Sequence, residues 1–139
     1  MFINSSSGFI IEMAKNLQLR GYKEVTIDNY RFDVVWRKRA DSCPFAVFEI
    51  SSVRDISIAV ARLRAARIKF GNPLLYLVIE KEDIEKAQQI IANSFAELLN
   101  QLKVLTTKDI LTYSKLLSQY DDMMGRIFPE KPTLWFRRK

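Results

Sequence analysis

Two acidic residues, Asp33 and Glu49, interrupt apolar stretches of the sequence, RFDVVW and FAVFEIS. Both stretches are typical of β-strands, and the short connection between them, about ten residues, favours neighbouring strands. Two carboxylates that share one face of adjacent strands repel each other unless a cation lies between them. Mg²⁺ prefers such oxygen ligands and can activate a water molecule for attack on a phosphate ester. The pair predicts a Mg²⁺ site, with Glu12 as a third ligand.

The same acids have a structural alternative. They can lie at the rim of the sheet, or they can form ion pairs with Arg31 and Arg62. Ion-pair networks gather charges in the same way as catalytic sites do, so residue types alone do not decide between the two interpretations.

The composition restricts the chemistry that is open to the chain. It contains no histidine, which excludes Ser-His-Asp and Cys-His catalysis and every zinc motif that needs histidine. A single cysteine, Cys43, allows no internal disulfide. No glycine-rich phosphate-binding loop is present. Catalysis would therefore have to use carboxylates, lysine, tyrosine or a metal held by oxygen ligands.

Charge and targeting signals indicate the compartment and the partners. The formal net charge is +6, which favours polyanionic partners. No apolar run has the roughly 18 residues of a membrane helix, so no membrane association is expected. The start MFINSSSGFII shows no secretory signal, and the lone cysteine suits a reducing environment. A cytoplasmic protein is expected.

The elements that must position the acids follow in the order α-β-β-β-α-β-α-β-α. Strands are predicted at residues 23–27, 31–38, 45–51, 74–79 and 102–106. Helices are predicted from a cap at Ser5–Ser7 to a stop at Gly21, and over about 55–70, 83–99 and 106–124. The fold class is α/β, a single-domain mixed sheet of about five strands with an antiparallel meander, parallel crossovers and helices on both faces. Alternation places Phe32 with Val34 and Trp36 on one face of the second strand, and Asp33 on the other.

The arrangement resembles the PD-(D/E)XK nuclease superfamily, the restriction-endonuclease-like fold that includes archaeal Holliday junction resolvases. The matching residues are Glu12 in GFIIEMAKNL, Asp33 in RFDVVW and Glu49 in FAVFEIS, and the resemblance spans roughly residues 8–106. It implies that the candidate catalytic and metal-binding positions are those of a Mg²⁺-dependent nuclease.

Position 51 departs from that family. Ser51 stands where the family has the lysine of its E-x-K motif, and a serine supplies no positive charge. The candidate catalytic positions are therefore Asp33, Glu49 and Ser51, with Lys38 or Lys69 as replacements for the lysine. This departure favours a nucleic-acid-binding protein that has lost catalysis, with DNA favoured over RNA. An active Mg²⁺-dependent endonuclease and a non-catalytic protein-interaction subunit are the alternatives.

Basic and apolar surfaces complete the sequence-based predictions. The residues expected to contact phosphates cluster on the hairpin and on the second helix: Arg37, Lys38, Arg39, Arg54, Arg62, Arg64 and Lys69. Their alternative role is to solvate the flanks of these elements. The domain is assigned to residues 1–127 and a basic-aromatic tail to residues 128–139. Leu116, Met123 and Ile127 widen the apolar face of the last helix, which indicates either core packing or a homodimer interface.

Overall fold

The computed structural model describes residues 3–128, with side chains from Ser6 onward. Within this part the helices are α1 (Ile3–Asn16), α2 (Ile56–Phe70), α3 (Ile84–Ser94) and α4 (Thr107–Ile127). The strands are β1 (Arg20–Ile27), β2 (Tyr30–Arg37), β3 (Pro44–Ile50), β4 (Leu74–Ile79) and β5 (Leu102–Thr106). The element order expected from the sequence is confirmed.

The strands form one mixed sheet in the order β1-β2-β3-β4-β5. The first three strands pair antiparallel, and β3, β4 and β5 pair parallel. Tight connections suffice for the antiparallel part, whereas each parallel pair needs a crossover helix, and α2 and α3 supply it. The chain is therefore a mixed α/β protein with a five-stranded sheet between helices, as predicted.

Each face of the sheet carries its own apolar core. The side chains of α2 and α3, including Leu63 and Ile91, pack with Val47 and Leu77 of the sheet. On the other face, the residues of α1 and α4 pack on an aromatic group of the sheet that includes Trp36. β4 contributes to both cores, which explains its unbroken apolar sequence LLYLVI.

The predicted start of α4 and the predicted ends of α1 have different outcomes. Thr106 and Asp109 form the predicted capping box at the start of α4, each side chain accepting the other's backbone N–H. The prediction for α1 was wrong at both ends. Ser5–Ser7 lie inside the helix, which ends at Asn16, and Gln18 adopts the left-handed backbone conformation with φ of 63°.

Gly21 serves a close approach between two elements, and it does not end the helix. It lies in β1, where α1 crosses the strand. A Cβ atom at this position would lie 3.2 Å from both the Ala14 Cβ atom and the Ile11 Cα atom. These neighbours are backbone or near-backbone atoms that cannot rotate away, so only glycine fits without a shift of α1.

Replacing Gly21 with valine is expected to lower the free energy of unfolding by about 1–3 kcal/mol, because overpacked sites force the backbone to move. Gly125→Ala is the control, since nothing lies within 4 Å of a Cβ at that exposed helical position. It should raise stability by about 0.5–1 kcal/mol. Urea denaturation measures both, and equal midpoints for Gly21→Val and the wild type would refute the close-approach argument.

Three further predicted boundaries differ from the structure, and the first is that β1 begins at Arg20 and not at residue 23. α3 ends at Ser94, because Phe95 leaves the helical conformation and a separate 3₁₀ turn follows at Ala96–Leu98. α4 continues past the predicted end to Ile127. The predicted tail lies, apart from Phe128, outside the described residues.

Candidate functional site

Asp33 and Glu49 meet where β2 and β3 stop pairing through their backbones. The last backbone pair of this ladder is Val34 with Phe48. Beyond it, the backbone N–H of Asp33 donates to Glu49 Oε2 at 2.9 Å, and the N–H of Ile50 donates to Asp33 Oδ2 at 2.8 Å. Each carboxylate thus takes up an N–H from the other strand, and the structure brings the two predicted acids together.

The regular alternation of β2 breaks at Asp33. Phe32 packs in the same core as Val35, whereas Val34 belongs to the core on the opposite face, so the expected grouping of Phe32 with Val34 and Trp36 was wrong. The β1–β2 ladder omits the pair formed by Asp33 and Glu24, and Glu24 has a positive φ of 52°. The distorted backbone accommodates the two hydrogen bonds in which each carboxylate accepts a backbone N–H of the other strand.

Two arginines cover the remaining oxygens of the acids. Arg62 Nη1 lies 3.4 Å from Glu49 Oε1, and Arg31 Nη1 lies 3.5 Å from Asp33 Oδ1. All four carboxylate oxygens therefore have a partner, two of them a backbone N–H and two a guanidinium group. These contacts are the ion pairs with Arg31 and Arg62 that the sequence offered as the structural alternative.

Glu49 is the most perturbed acid of the site. Its side chain is completely buried. Burial, followed by the negative charge of Asp33, raises the pKa of Glu49 to about 7, against the opposing effects of the Asp33 N–H and Arg62. Glu49 therefore keeps its proton to a higher pH than an exposed glutamate does.

The acids form the floor of a cleft of about 360 Å³ that opens between β2 and the start of α2. Its walls include Ser51, Ser52 and Asp55 from the connection between β3 and α2, together with Arg31 and Arg62. The side chains of Arg31 and Arg62 are 49% and 37% exposed, so both can reach a ligand in the cleft.

Of the three predicted Mg²⁺ ligands, the structure brings Asp33 and Glu49 together. Glu12 is exposed on α1, which packs on the other face of the sheet, so the predicted third ligand does not join the acids. Among residues 3–128 no group of three or more His, Cys, Asp or Glu side chains could hold a metal ion. An ion between Asp33 and Glu49 would also have to displace the two guanidinium groups, because Mg²⁺ demands near-octahedral oxygen ligation.

Ser51 lines the cleft, and its hydroxyl is turned to the backbone. Its hydroxyl donates to the carbonyl oxygen of Ser52 at 2.8 Å, so its proton is already engaged. Lys69 forms an ion pair of 3.0 Å with Asp28. Lys38 lies near the ring of Phe45, at the other end of the hairpin. Neither lysine lines the cleft.

The predicted phosphate-binding residues divide into two groups. Arg62 lines the cleft, and Arg54 is exposed in the turn beside Asp55. The remaining five lie elsewhere. Arg37 is the last residue of β2, about 13 Å along the strand from Asp33 at 3.3 Å per residue, and Lys38 and Arg39 follow it in the β2–β3 connection. Arg64 pairs with Glu97, and Lys69 pairs with Asp28.

Sequence reasoning missed two polar residues of the cleft, Ser52 and Asp55. The Ser52 hydroxyl donates to Asp55 Oδ2 at 3.4 Å across the 3₁₀ turn that precedes α2. The spacing of a serine and an acid three residues apart ahead of an apolar run is typical of a helix start and could have indicated them.

The comparisons with known proteins do not extend this description. A scan against protein-family models, a search of curated proteins and a search of solved structures each found no match. The fold and site define a mixed α/β protein with a carboxylate pair bridged to two arginines. In residues 3–128 no helix is long and apolar enough to cross a membrane.

Proposed function

We propose that this chain binds nucleic acid through the cleft at Asp33 and Glu49 and does not cleave it, DNA being favoured over RNA. The observation that carries the proposal is the engagement of all four carboxylate oxygens by backbone N–H groups and arginines. In this arrangement the two carboxylates hold the guanidinium groups of Arg31 and Arg62 in the cleft. The net charge of +6 adds a general attraction to polyanions.

The arginines supply the binding chemistry. Their ion pairs with the acids are long, at 3.4 and 3.5 Å, and both guanidinium groups are partly exposed. The more exposed pair, between Arg31 and Asp33, contributes about 0–1 kcal/mol, so a phosphate oxygen can replace its carboxylate at little cost. Arg62 can bind a phosphate while it stays paired with buried Glu49, because a guanidinium group has five N–H donors. Arginine also binds phosphate through two parallel hydrogen bonds, which favours it over lysine for this task. Arg54 adds an exposed cation in the turn between Ser52 and Asp55, which both line the cleft.

The lack of cleavage follows from the same contacts. The resemblance to the PD-(D/E)XK nucleases implies a lysine beside the acids, but among the described residues no lysine lines the cleft. The hydroxyl of Ser51, which occupies that sequence position, donates to the carbonyl oxygen of Ser52. Within the described residues, the cleft therefore provides no lysine ammonium group and no activated serine hydroxyl to promote attack on a phosphate ester.

An active Mg²⁺-dependent endonuclease remains the second candidate, favoured by the convergence of Asp33 and Glu49. In that case a divalent ion would have to displace both arginines. A non-catalytic protein-interaction subunit is the third candidate, favoured by the exposed apolar side chains of α4.

Fluorescence anisotropy with duplex, branched and single-stranded DNA, and with RNA of the same sequence, tests the proposal. We expect binding that weakens steeply between about 50 mM and 200 mM salt, because phosphate contacts release counterions. Incubation of the same probes with Mg²⁺ or Mn²⁺ should leave them intact.

Three outcomes would contradict the proposal. No binding to any probe at low salt would reject nucleic acid as the partner. Cleavage that Asp33→Ala and Glu49→Ala both abolish would establish the endonuclease. A stable native complex with another protein, together with no nucleic-acid binding, would favour the interaction subunit.

A further inference from the structure

α4 carries a second apolar stripe beside the one that packs on the domain. Its core-facing residues include Ile110, Ser114 and Leu117. The second stripe consists of side chains at alternating spacings of three and four residues, which is the a/d pattern of a helix that pairs with another helix. Its members are Tyr113, Leu116, Tyr120, Met123 and Ile127.

The stripe is open to solvent along its length. Leu116 and Ile127 are 56% and 59% exposed, Tyr113 and Met123 just over 40%, and Tyr120 is half-buried. Phe128 continues the apolar surface beyond the end of the helix and is 44% exposed. A helix that is apolar on so wide a face is ordinarily covered on that face.

An apolar groove adjoins the first half of the stripe. It encloses about 360 Å³, and its floor is the aromatic group of Trp36, Phe48 and Tyr76. Tyr113 and Leu116 of the stripe form part of its rim. The stripe and the groove together make one continuous apolar surface, and its walls provide few polar groups for a small polar ligand.

We propose that a second copy of this chain covers this surface through an antiparallel pairing of the two α4 helices. A two-fold axis beside Asp121 and Asp122 sets Leu116 against Ile127 of the second copy and Tyr120 against Met123 of the second copy. Each of these contacts occurs twice, as in any isologous interface. The same register carries the C-terminal end of each α4 toward the groove of the other copy.

The charges of the helix suit this arrangement. No charged residue lies within the stripe, and the flanking position Gln119 falls beside Arg126 of the second copy. No like charges meet at these flanking positions, and the antiparallel direction sets the two helix dipoles in opposition. A parallel pairing would align the dipoles.

The available area indicates a weak dimer. Five large side chains that are roughly half-exposed, together with the less exposed Tyr120, offer on the order of 500 Å² per copy, given that an aromatic side chain buries about 150–250 Å². The total of about 1,000 Å² lies at the lower limit of specific interfaces. We therefore expect a monomer–dimer equilibrium with a dissociation constant on the order of micromolar.

Sedimentation equilibrium over a range of protein concentrations tests the proposal. Leu116→Glu should weaken the dimer at least 100-fold. Leu99→Glu should leave it unchanged, because Leu99 is exposed to a similar extent, at 52%, but lies away from α4. Gln119→Glu should tighten the dimer several-fold through Arg126 of the second copy, and Gln119→Lys should weaken it by a similar factor.

Each of the following results would contradict one part of the dimer proposal. A wild-type chain that is monomeric at all concentrations would overturn the proposal, whether another segment or another protein covers the surface. A dimer that survives Leu116→Glu would overturn the assignment to α4. Equal effects of the two Gln119 variants would overturn the antiparallel register. Circular dichroism of each variant verifies that the fold is intact.

Discussion

Replacing Glu49 with glutamine is expected to stabilise the protein at pH 8 by about 2–3 kcal/mol more than at pH 5, from the linkage between pKa and stability. The cause is the burial of Glu49 beside Asp33. Ionised Glu49 is held away from solvent next to a second negative charge, and one guanidinium group at 3.4 Å does not fully compensate. Glutamine keeps the shape and an acceptor for the Asp33 N–H, and it carries no charge.

The direction of the effect follows from the two protonation equilibria. The pKa of Glu49 is about 7 in the folded protein and has its ordinary value of 4.5 when unfolded. Between these values the folded chain holds a proton that the unfolded chain has lost. The contribution of Glu49 to stability is therefore fully present below pH 4.5, and it declines as the pH rises through 7.

Urea denaturation of the wild type and of Glu49→Gln at pH 5, 6, 7 and 8 measures this dependence. Glu12→Gln is the matched control, because it removes a carboxylate that is exposed on α1. A Glu12→Gln variant with the same pH-dependent gain would trace the effect to the loss of any carboxylate and not to the burial of Glu49. If the wild type and Glu49→Gln lose equal stability between pH 5 and pH 8, Glu49 does not hold a raised pKa in the folded state.

The convergence of Asp33 and Glu49 could be predicted because it depends on local features. Both lie on apolar strands joined by a short connection, and strands so joined are ordinarily neighbours. The two hydrogen bonds by which they replace the backbone ladder could not be predicted. They depend on the break in alternation at Asp33. The pattern of apolar residues does not reveal this break, since Phe32 is apolar and would be buried on whichever face of the sheet it lies.

The positions of the basic side chains relative to the acids were predicted less well, because they also depend on the direction in which each side chain points. Sequence places Arg62 and Arg64 two residues apart on one helix, but such residues point in different directions, so only Arg62 reaches the acids. Glu12 does not join the two acids because α1 packs on the opposite face of the sheet, and periodicity does not tell against which face a helix packs. Arg37, Lys38 and Arg39 were close to Asp33 in sequence, yet an extended strand separates them from it.

Replacing both Arg31 and Arg62 with glutamine is expected to weaken nucleic-acid binding by about 10- to 100-fold at low salt, and to reduce the slope of log affinity against log salt by about two. These arginines line the cleft and are 49% and 37% exposed, and each would neutralise one phosphate. Because removal of Arg62 also leaves Glu49 without its cation, the substitutions are made on the Glu49→Gln background. The reference for the comparison is Glu49→Gln alone.

Arg64→Gln on the same background is the matched control for this prediction. Its side chain is 43% exposed on the same helix but pairs with Glu97 at 3.6 Å and packs over the ring of Phe95, outside the cleft. It should leave the salt slope within a few tenths of the reference, whereas the double variant should lower it. If Arg64→Gln changes the slope as much as the loss of Arg31 and Arg62 does, phosphates contact the basic surface of α2 in general. The carboxylate–arginine cleft would then not be the binding site, because an electrostatic contribution that does not depend on position requires no particular pair of cations.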